Sequence, residues 1–339
     1  MGTLPGWRYF NRGADAAAKC GLTTAVALMA ALSVSPSGAS ATTASHRWSP
    51  PIFIGAKGSS SSQVNYSISC PSTAFCVSVN GDGGVVVRRR GVWSSPRSLP
   101  MGGSIDAVSC SSQVFCVAVA AGVASVYNGR KWSDPTPMGP SGDTYHVSCP
   151  ARTFCAAVGA SGVPGRRSVL AIFDGHSWRT HSTSSSGALK DRLLSVSCAS
   201  SQFCMAANFD GQILRFNGSK WSSSLASGPQ DLTSVSCTVS RLCMAVTITG
   251  ESVMFHNGRW TSLRPITAYE SAGTYSISCS SATECSVIGL GGKAATWTAG
   301  HWSSPSSVFP GGYSAGVAIS CSKGGKCVAV NDRGMSASR

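Results

Sequence analysis

The chain repeats one short pattern along nearly its whole length: ISCPSTAFCVSV, VSCSSQVFCVAV, VSCPARTFCAAV, VSCASSQFCMAA, VSCTVSRLCMAV, ISCSSATECSVI and ISCSKGGKCVAV. The first cysteines are Cys70, Cys110, Cys149, Cys198, Cys237, Cys279 and Cys321, 39 to 49 residues apart with a mean of about 42. A repeat that long holds about four strands, and a unit that cannot bury its own faces must stack on its neighbours. The repeat therefore predicts an all-β, seven-bladed propeller of four-stranded antiparallel blades.

Each unit carries a second mark, an aromatic, a Gly turn and then Trp with Ser or Thr. Tyr127 to Trp132, Phe216 to Trp221 and Phe255 to Trp260 show it in full, while Arg88 replaces the aromatic before Trp93. Strand A is expected to end at the first cysteine. Strand B is the Phe-Cys-Val-Ala-Val run, apolar on both faces as a strand between two blades must be. Strand C ends at the aromatic, and an Asn-Gly or Asp-Gly hairpin leads to strand D at the Trp. Pro50, Pro96, Pro135 and Pro305 follow that Trp, which suits an outer edge strand. Trp at one place in every unit points to packing between blades rather than to a ligand.

The last unit stops at Met335–Arg339 without its Trp strand, whereas His46-Arg47-Trp48-Ser49 is a Trp strand with no unit before it. Joining the two predicts that the N-terminal strand completes the seventh blade and closes the ring.

The N-terminus reads as a secretory leader. Arg8, Arg12 and Lys19 precede an apolar run from Gly21 to Val34, and Ala39-Ser40-Ala41 offers a cleavage site. The run is too short to span a bilayer. Residues 1–41 are thus expected to be a signal peptide, and 42–339 a single secreted, monomeric propeller domain. Removing the leader takes away those three cations and Asp15, so the formal charge falls from +14 to +12. It also removes Cys20 and leaves an even number of thiols in an oxidising compartment.

Each remaining pair is Cys-x5-Cys across an A–B turn, where two cysteines come opposite each other. The predicted disulfides are Cys70–Cys76, Cys110–Cys116, Cys149–Cys155, Cys198–Cys204, Cys237–Cys243, Cys279–Cys285 and Cys321–Cys327. Zinc sites favour closer spacing and a second matching pair or histidines, which the units do not supply, so no metal and no cofactor is expected.

The repeat [VI]-S-C-x5-C with [FY]-[ND]-G-x-x-W-[ST] resembles secreted bacterial propeller repeats of the sialidase-like, BNR-repeat superfamily. Gly129 to Trp132, Gly175 to Trp178 and Gly218 to Trp221 keep the Gly-to-Trp distance of its Asp-box, S-x-D-x-G-x-x-W. Tyr127, Phe173 and Phe216 stand where the box has Asp, so the likeness is to a degenerate hairpin and carries no catalytic residue across. Fucose-binding propeller lectins use a partly similar W-D-G-x-G-W hairpin. The resemblance implies a carbohydrate-active enzyme, a glycoside hydrolase or lyase, as the alternative to a binding protein.

In such a blade the A–B turns and C–D hairpins share one face, here called the turn face. The B–C and D–A loops share the other, the loop face. The turn face is nearly uniform among the units, whereas the loops differ in length and chemistry. The loop from Gly159 to Ser168, with Arg166 and Arg167, is about six residues longer than its counterparts, and variable loops on a rigid scaffold are where function collects. Residues just before strand A reach that face and form the candidate site: Asn65, Tyr66, Asp106, Asp143, Tyr145, Arg192, Asp231 and Tyr275. Tyr with Asp, Asn and Arg suits a sugar or polar surface; the three tyrosines could equally pack the inner strands.

A glycosidase needs two carboxylates at a set separation. The chain after the leader has only Glu251, Glu270 and Glu284, and Glu284 stands in the strand B Phe position. Asp143, Asp231 and Arg192 are the groups an enzyme at the central channel would use. The histidines His46, His176 and His301 lie on the turn side without a serine elbow or ligand-spaced partner. The reading is a non-catalytic secreted propeller that binds a glycan, an envelope component or a partner protein through its loop face. Its charge favours an anionic surface, and the leader argues against nucleic acid as partner.

Overall fold

The computed structural model describes residues 47–55, 67–101, 103–139, 145–160, 168–181, 192–225, 231–239, 242–266, 276–311 and 317–339. It is a seven-bladed propeller of four-stranded antiparallel blades. The innermost A strands are Ser67–Ser72, Ala107–Ser112, Tyr145–Ala151, Leu193–Ser200, Leu232–Val239, Ser276–Ser281 and Val317–Cys321, for blades 1 to 7. In blades 1 to 6 the A strand runs past its cysteine, because a bulge lets the ladder resume at pairs such as Ser112 with Phe115. The predicted leader lies outside the described residues. Among the described residues no helix is long and apolar enough to cross a membrane.

All seven predicted disulfides are present, with Cα atoms 3.8 to 4.1 Å apart. That closeness belongs to antiparallel pairs that exchange no ladder hydrogen bonds. The cysteine N–H on strand A therefore points out of its own blade and needs a partner elsewhere.

The serine of the [VI]-S-C motif supplies it. Ser69, Ser109, Ser148, Ser197, Ser236 and Ser278 each accept, at 2.9 Å, the N–H of the cysteine in the next blade. Ser320 of blade 7 accepts that of Cys70 in blade 1, also at 2.9 Å, so the belt has no end. Each bond contributes about 1 kcal/mol and protects a strand edge that would otherwise be unpaired.

Outside this belt, apolar side chains fill the gaps between blades. Strand B residues such as Val117, Ala118 and Val119 are fully buried on both faces. Seven hydrophobic clusters occur among the described residues, one at each blade interface. Near the turn face, the strand B Phe of one blade meets the strand C aromatic of the next: Phe115 with Phe173, Phe154 with Phe216, and Phe203 with Phe255, at 5.8 to 6.4 Å. That strand C aromatic leans on the Trp of its own hairpin at 5.1 to 5.3 Å, and the Trp residues join the inter-blade clusters as expected.

The hydroxyl after the Trp also has a role. Where strand D breaks off, Ser94, Ser133, Thr261 and Ser303 accept the strand C N–H groups of Val87, Val126, Met254 and Thr296 at 3.0 to 3.1 Å. Ser49 does the same for Ser338 at 3.0 Å across the ring closure.

The predicted closure is observed. Ile52 and Phe53 pair with Ser336 and Met335, and Trp48 is buried against blade 7. Around this blade the aromatic register changes character. Glu284 of blade 6 occupies the strand B Phe position, and Arg339 occupies the strand C aromatic position, opposite Cys327. They form an ion pair of 3.3 Å in which the Arg339 side chain is 5% exposed. Arg339 also donates to Ser286 Oγ at 2.6 Å and lies over the Trp48 ring. Lys326 and Arg88 fill the same two positions between blades 7 and 1.

Deleting residues 47–54 should abolish cooperative thermal unfolding, read by circular dichroism. Glu284→Ala should cost about 3 kcal/mol in chemical denaturation because it leaves a buried guanidinium unpaired. The pair Glu284→Phe with Arg339→Phe should recover that loss by restoring the aromatic contact.

Candidate functional site

The loop face rests on turns whose polar groups are fixed from within. Asn80, Asn208 and Asn331 end strand B in blades 1, 4 and 7, and each Oδ1 accepts the backbone N–H four residues on, at 2.7 to 2.9 Å. Thr247 does so in blade 5 at 3.0 Å. Asn208 is fully buried and also donates to the Gln212 side chain at 3.0 Å. A side chain that closes its own turn holds the loop tip in place without help from outside.

Two of the expected site residues come together on this frame. Leu193 pairs with Asn208, which sets Arg192 beside Phe209 at the strand ends. The Asp231 N–H donates to the Phe209 carbonyl at 2.6 Å, and the Asp231 carbonyl accepts from Ile248 at 2.8 Å. Asp231 adopts φ 66°, the left-handed region that Asp tolerates better than most residues. Its carboxylate makes no hydrogen bond among the described residues. Phe209 is 37% exposed, a large apolar side chain at the tip of a turn. Blades 4 and 5 thus bring a cation, an exposed ring and an unspent carboxylate to one place on the loop face. Phe209 has no counterpart in the other units, and its lone position in a turn gave the sequence reading no signal.

Asp106 is placed differently. Its carboxylate accepts the Ala121 N–H at 3.3 Å, bracing the B–C turn of blade 2. Tyr145 lies on strand A, paired with Gly159. Asn65, Tyr66, Asp143, Arg166, Arg167 and Tyr275 lie outside the described residues. Among the described residues no group of three or more His, Cys, Asp or Glu is close enough to hold a metal ion.

The channel wall holds one titratable group that the sequence reading passed over. Three residues before the first cysteine, Ser67, Ser195, Ser234 and Ser276 add a second row of inter-blade bonds at 3.1 to 3.4 Å. Blade 3 has His146 at that position, and burial pushes its pKa from 6.5 down to about 4. The unfolded chain takes up a proton there below about pH 6.5 and the folded chain only below about pH 4. Stability is therefore lost as the pH falls through that window, by up to about 3 kcal/mol. Melting temperature should drop between pH 7 and 4.5, and His146→Ser should flatten the drop; an unchanged profile in the variant would show that the ring does not titrate this way.

No family model matches the chain, and no curated protein matches it. Solved structures do. One described as "YCF48 bound to D1 peptide" superposes with a TM-score of 0.62 at 12% identity, over 86% of this chain and 94% of that chain. YCF48 from Cyanidioschyzon merolae gives 0.60 at 12% identity, over 86% of this chain and 98% of that one. Likeness at this identity is likeness of fold: the chain is a seven-bladed β-propeller of the same architecture as YCF48.

Proposed function

We propose that this chain is a secreted, non-catalytic propeller that holds a segment of a partner protein on its loop face. The observation that carries this reading is the meeting of Arg192, Phe209 and Asp231 on turns fixed by buried hydrogen bonds. An exposed ring and a free carboxylate on a rigid base, beside a cation already engaged within the chain, suit an extended peptide that brings one apolar side chain and a cation of its own. The disulfides suit an oxidising compartment, and the YCF48 structure described as bound to D1 peptide is a propeller of this fold in company with a peptide.

A glycan on the same face is the nearest competitor, and hydrolysis at the channel with Asp143, Asp231 and Arg192 is the next. Purified mature protein screened in parallel on a peptide array, a glycan array and fluorogenic glycosides separates the three. Saturable peptide binding weakened about tenfold by Phe209→Ala or Asp231→Ala is expected. Binding confined to glycans, or turnover of a glycoside that Asp231→Ala abolishes, would overturn the proposal.

A further inference from the structure

The two faces of the ring differ in charge. In the A–B turns and C–D hairpins, cations recur around the turn face: Arg90 in blade 1, Arg130 and Lys131 in blade 2, Lys220 in blade 4, Arg259 in blade 5 and Lys326 in blade 7. All are exposed, and among the described residues their side chains make no ion pair or hydrogen bond. The carboxylates in the described parts of these turns are Asp174 and Glu284, and both are already paired, with Arg179 and Arg339.

The described turns of the loop face have the opposite balance. Asp82, Asp210, Glu251 and Asp332 lie in its B–C turns, with Asp106 and Asp231 just before strand A. Among the described residues of its turns and strand A starts, the cations have partners: Arg333 donates to the Gly311 carbonyl at 3.4 Å, and Arg192 and Lys293 are also engaged, while Arg97 and Arg264 stand exposed on the outer strands. A net positive charge could be spread evenly for solubility. Among the described turns the unspent cations lie on the turn face, where neighbouring cations repel and lower stability.

The same face carries a cleft of about 660 Å³ between blades 4 and 5. Ser200, Gln202, Phe203, Arg215, Asn217 and Asn257 line it. The Arg215 guanidinium lies 5.5 Å from the centre of the Phe203 ring and makes no hydrogen bond among the described residues, so its N–H fork is available to an acid. The side-chain amides of Gln202 and Asn257 are likewise unspent.

We propose that the turn face docks a flexible anionic polymer bearing a phosphate or carboxylate group on each repeat, with one such group seated against Arg215 in the cleft. A guanidinium fork matches either oxyanion. A lipid surface fits less well, because binding in a bilayer interface needs a broad apolar face. The large hydrophobic residues exposed in the described turns here are Val92 and Val114. Docked in this way, the propeller turns its loop face outward.

The test is titration of the mature protein with inorganic polyphosphate and with polygalacturonate at about 0.15 M salt. The triple variant Arg215→Glu, Lys220→Glu, Arg259→Glu should lose at least about 30-fold in affinity, while Arg97→Glu, Arg264→Glu, Lys293→Glu, with the same change in net charge, should stay within about threefold. Should the first triple fail to fold, Arg215→Gln alone should lose about fivefold. Equal losses in the two triples, no binding of either polymer, or tighter binding to vesicles of anionic lipid would overturn the proposal. None of these outcomes bears on peptide capture at the loop face, so the two proposals fail separately.

Discussion

The propeller depends on a single exchange at its centre. Each innermost strand has an edge with N–H groups that its own blade cannot satisfy, and the serine before each cysteine satisfies one of them for its neighbour. A strand edge left open invites pairing with other chains. Here the open edges face inward and are closed by hydroxyls, so the ring is sealed in polar terms as well as apolar ones. The disulfide and the serine belong together. A cysteine pair across an antiparallel hairpin favours the narrow position, and the narrow position is the one whose N–H is turned outward.

The interfaces between blades are not equivalent. Aromatic stacking links blades 2 to 3, 3 to 4 and 4 to 5, whereas the contact into blade 7 is an ion pair, and between blades 7 and 1 the two aromatic positions hold the cations Lys326 and Arg88. The ion pair seats the blade that is assembled from both chain ends. A buried ion pair is less forgiving than a stack of rings, since it needs both partners in place. It therefore selects the correct seating of the last blade more sharply than apolar contact would.

Repetition made the architecture legible from sequence: blade number, disulfide pairing, hairpin position and end-strand closure all follow from patterns within one unit or between the two ends. What escaped were relations between units. The serine of the motif is visible seven times, yet its partner lies in the next blade and cannot be read from either copy alone. Glu284 stands out as a misfit in its own repeat, and Arg339, 55 residues away, explains it only once the ring order is known. The same holds for the site. In the proposed site, Arg192 and Asp231 are legible because they precede strand A, whereas Phe209 has no repeated counterpart and enters only through a backbone bond to Asp231. The surplus of positive charge was plain in the composition, but the run of unspent cations through the described turns of the turn face needs the three-dimensional arrangement.

Every disulfide joins two cysteines six residues apart, with no other cysteine between them. This has a consequence for biogenesis. In the proposed secreted form, which loses Cys20 with its leader, the thiols pass through a membrane pore in native order, each followed directly by its partner. An oxidase that links every second thiol to the one just before it produces the complete native set without shuffling. The more disulfides such a chain carries, the longer the list of wrong pairings open to it, yet here that list is bypassed by the order of emergence. On the proposed secretion, blades are oxidised one by one during export, and only the last step, the return of the first strand to the seventh blade, must wait for the whole chain.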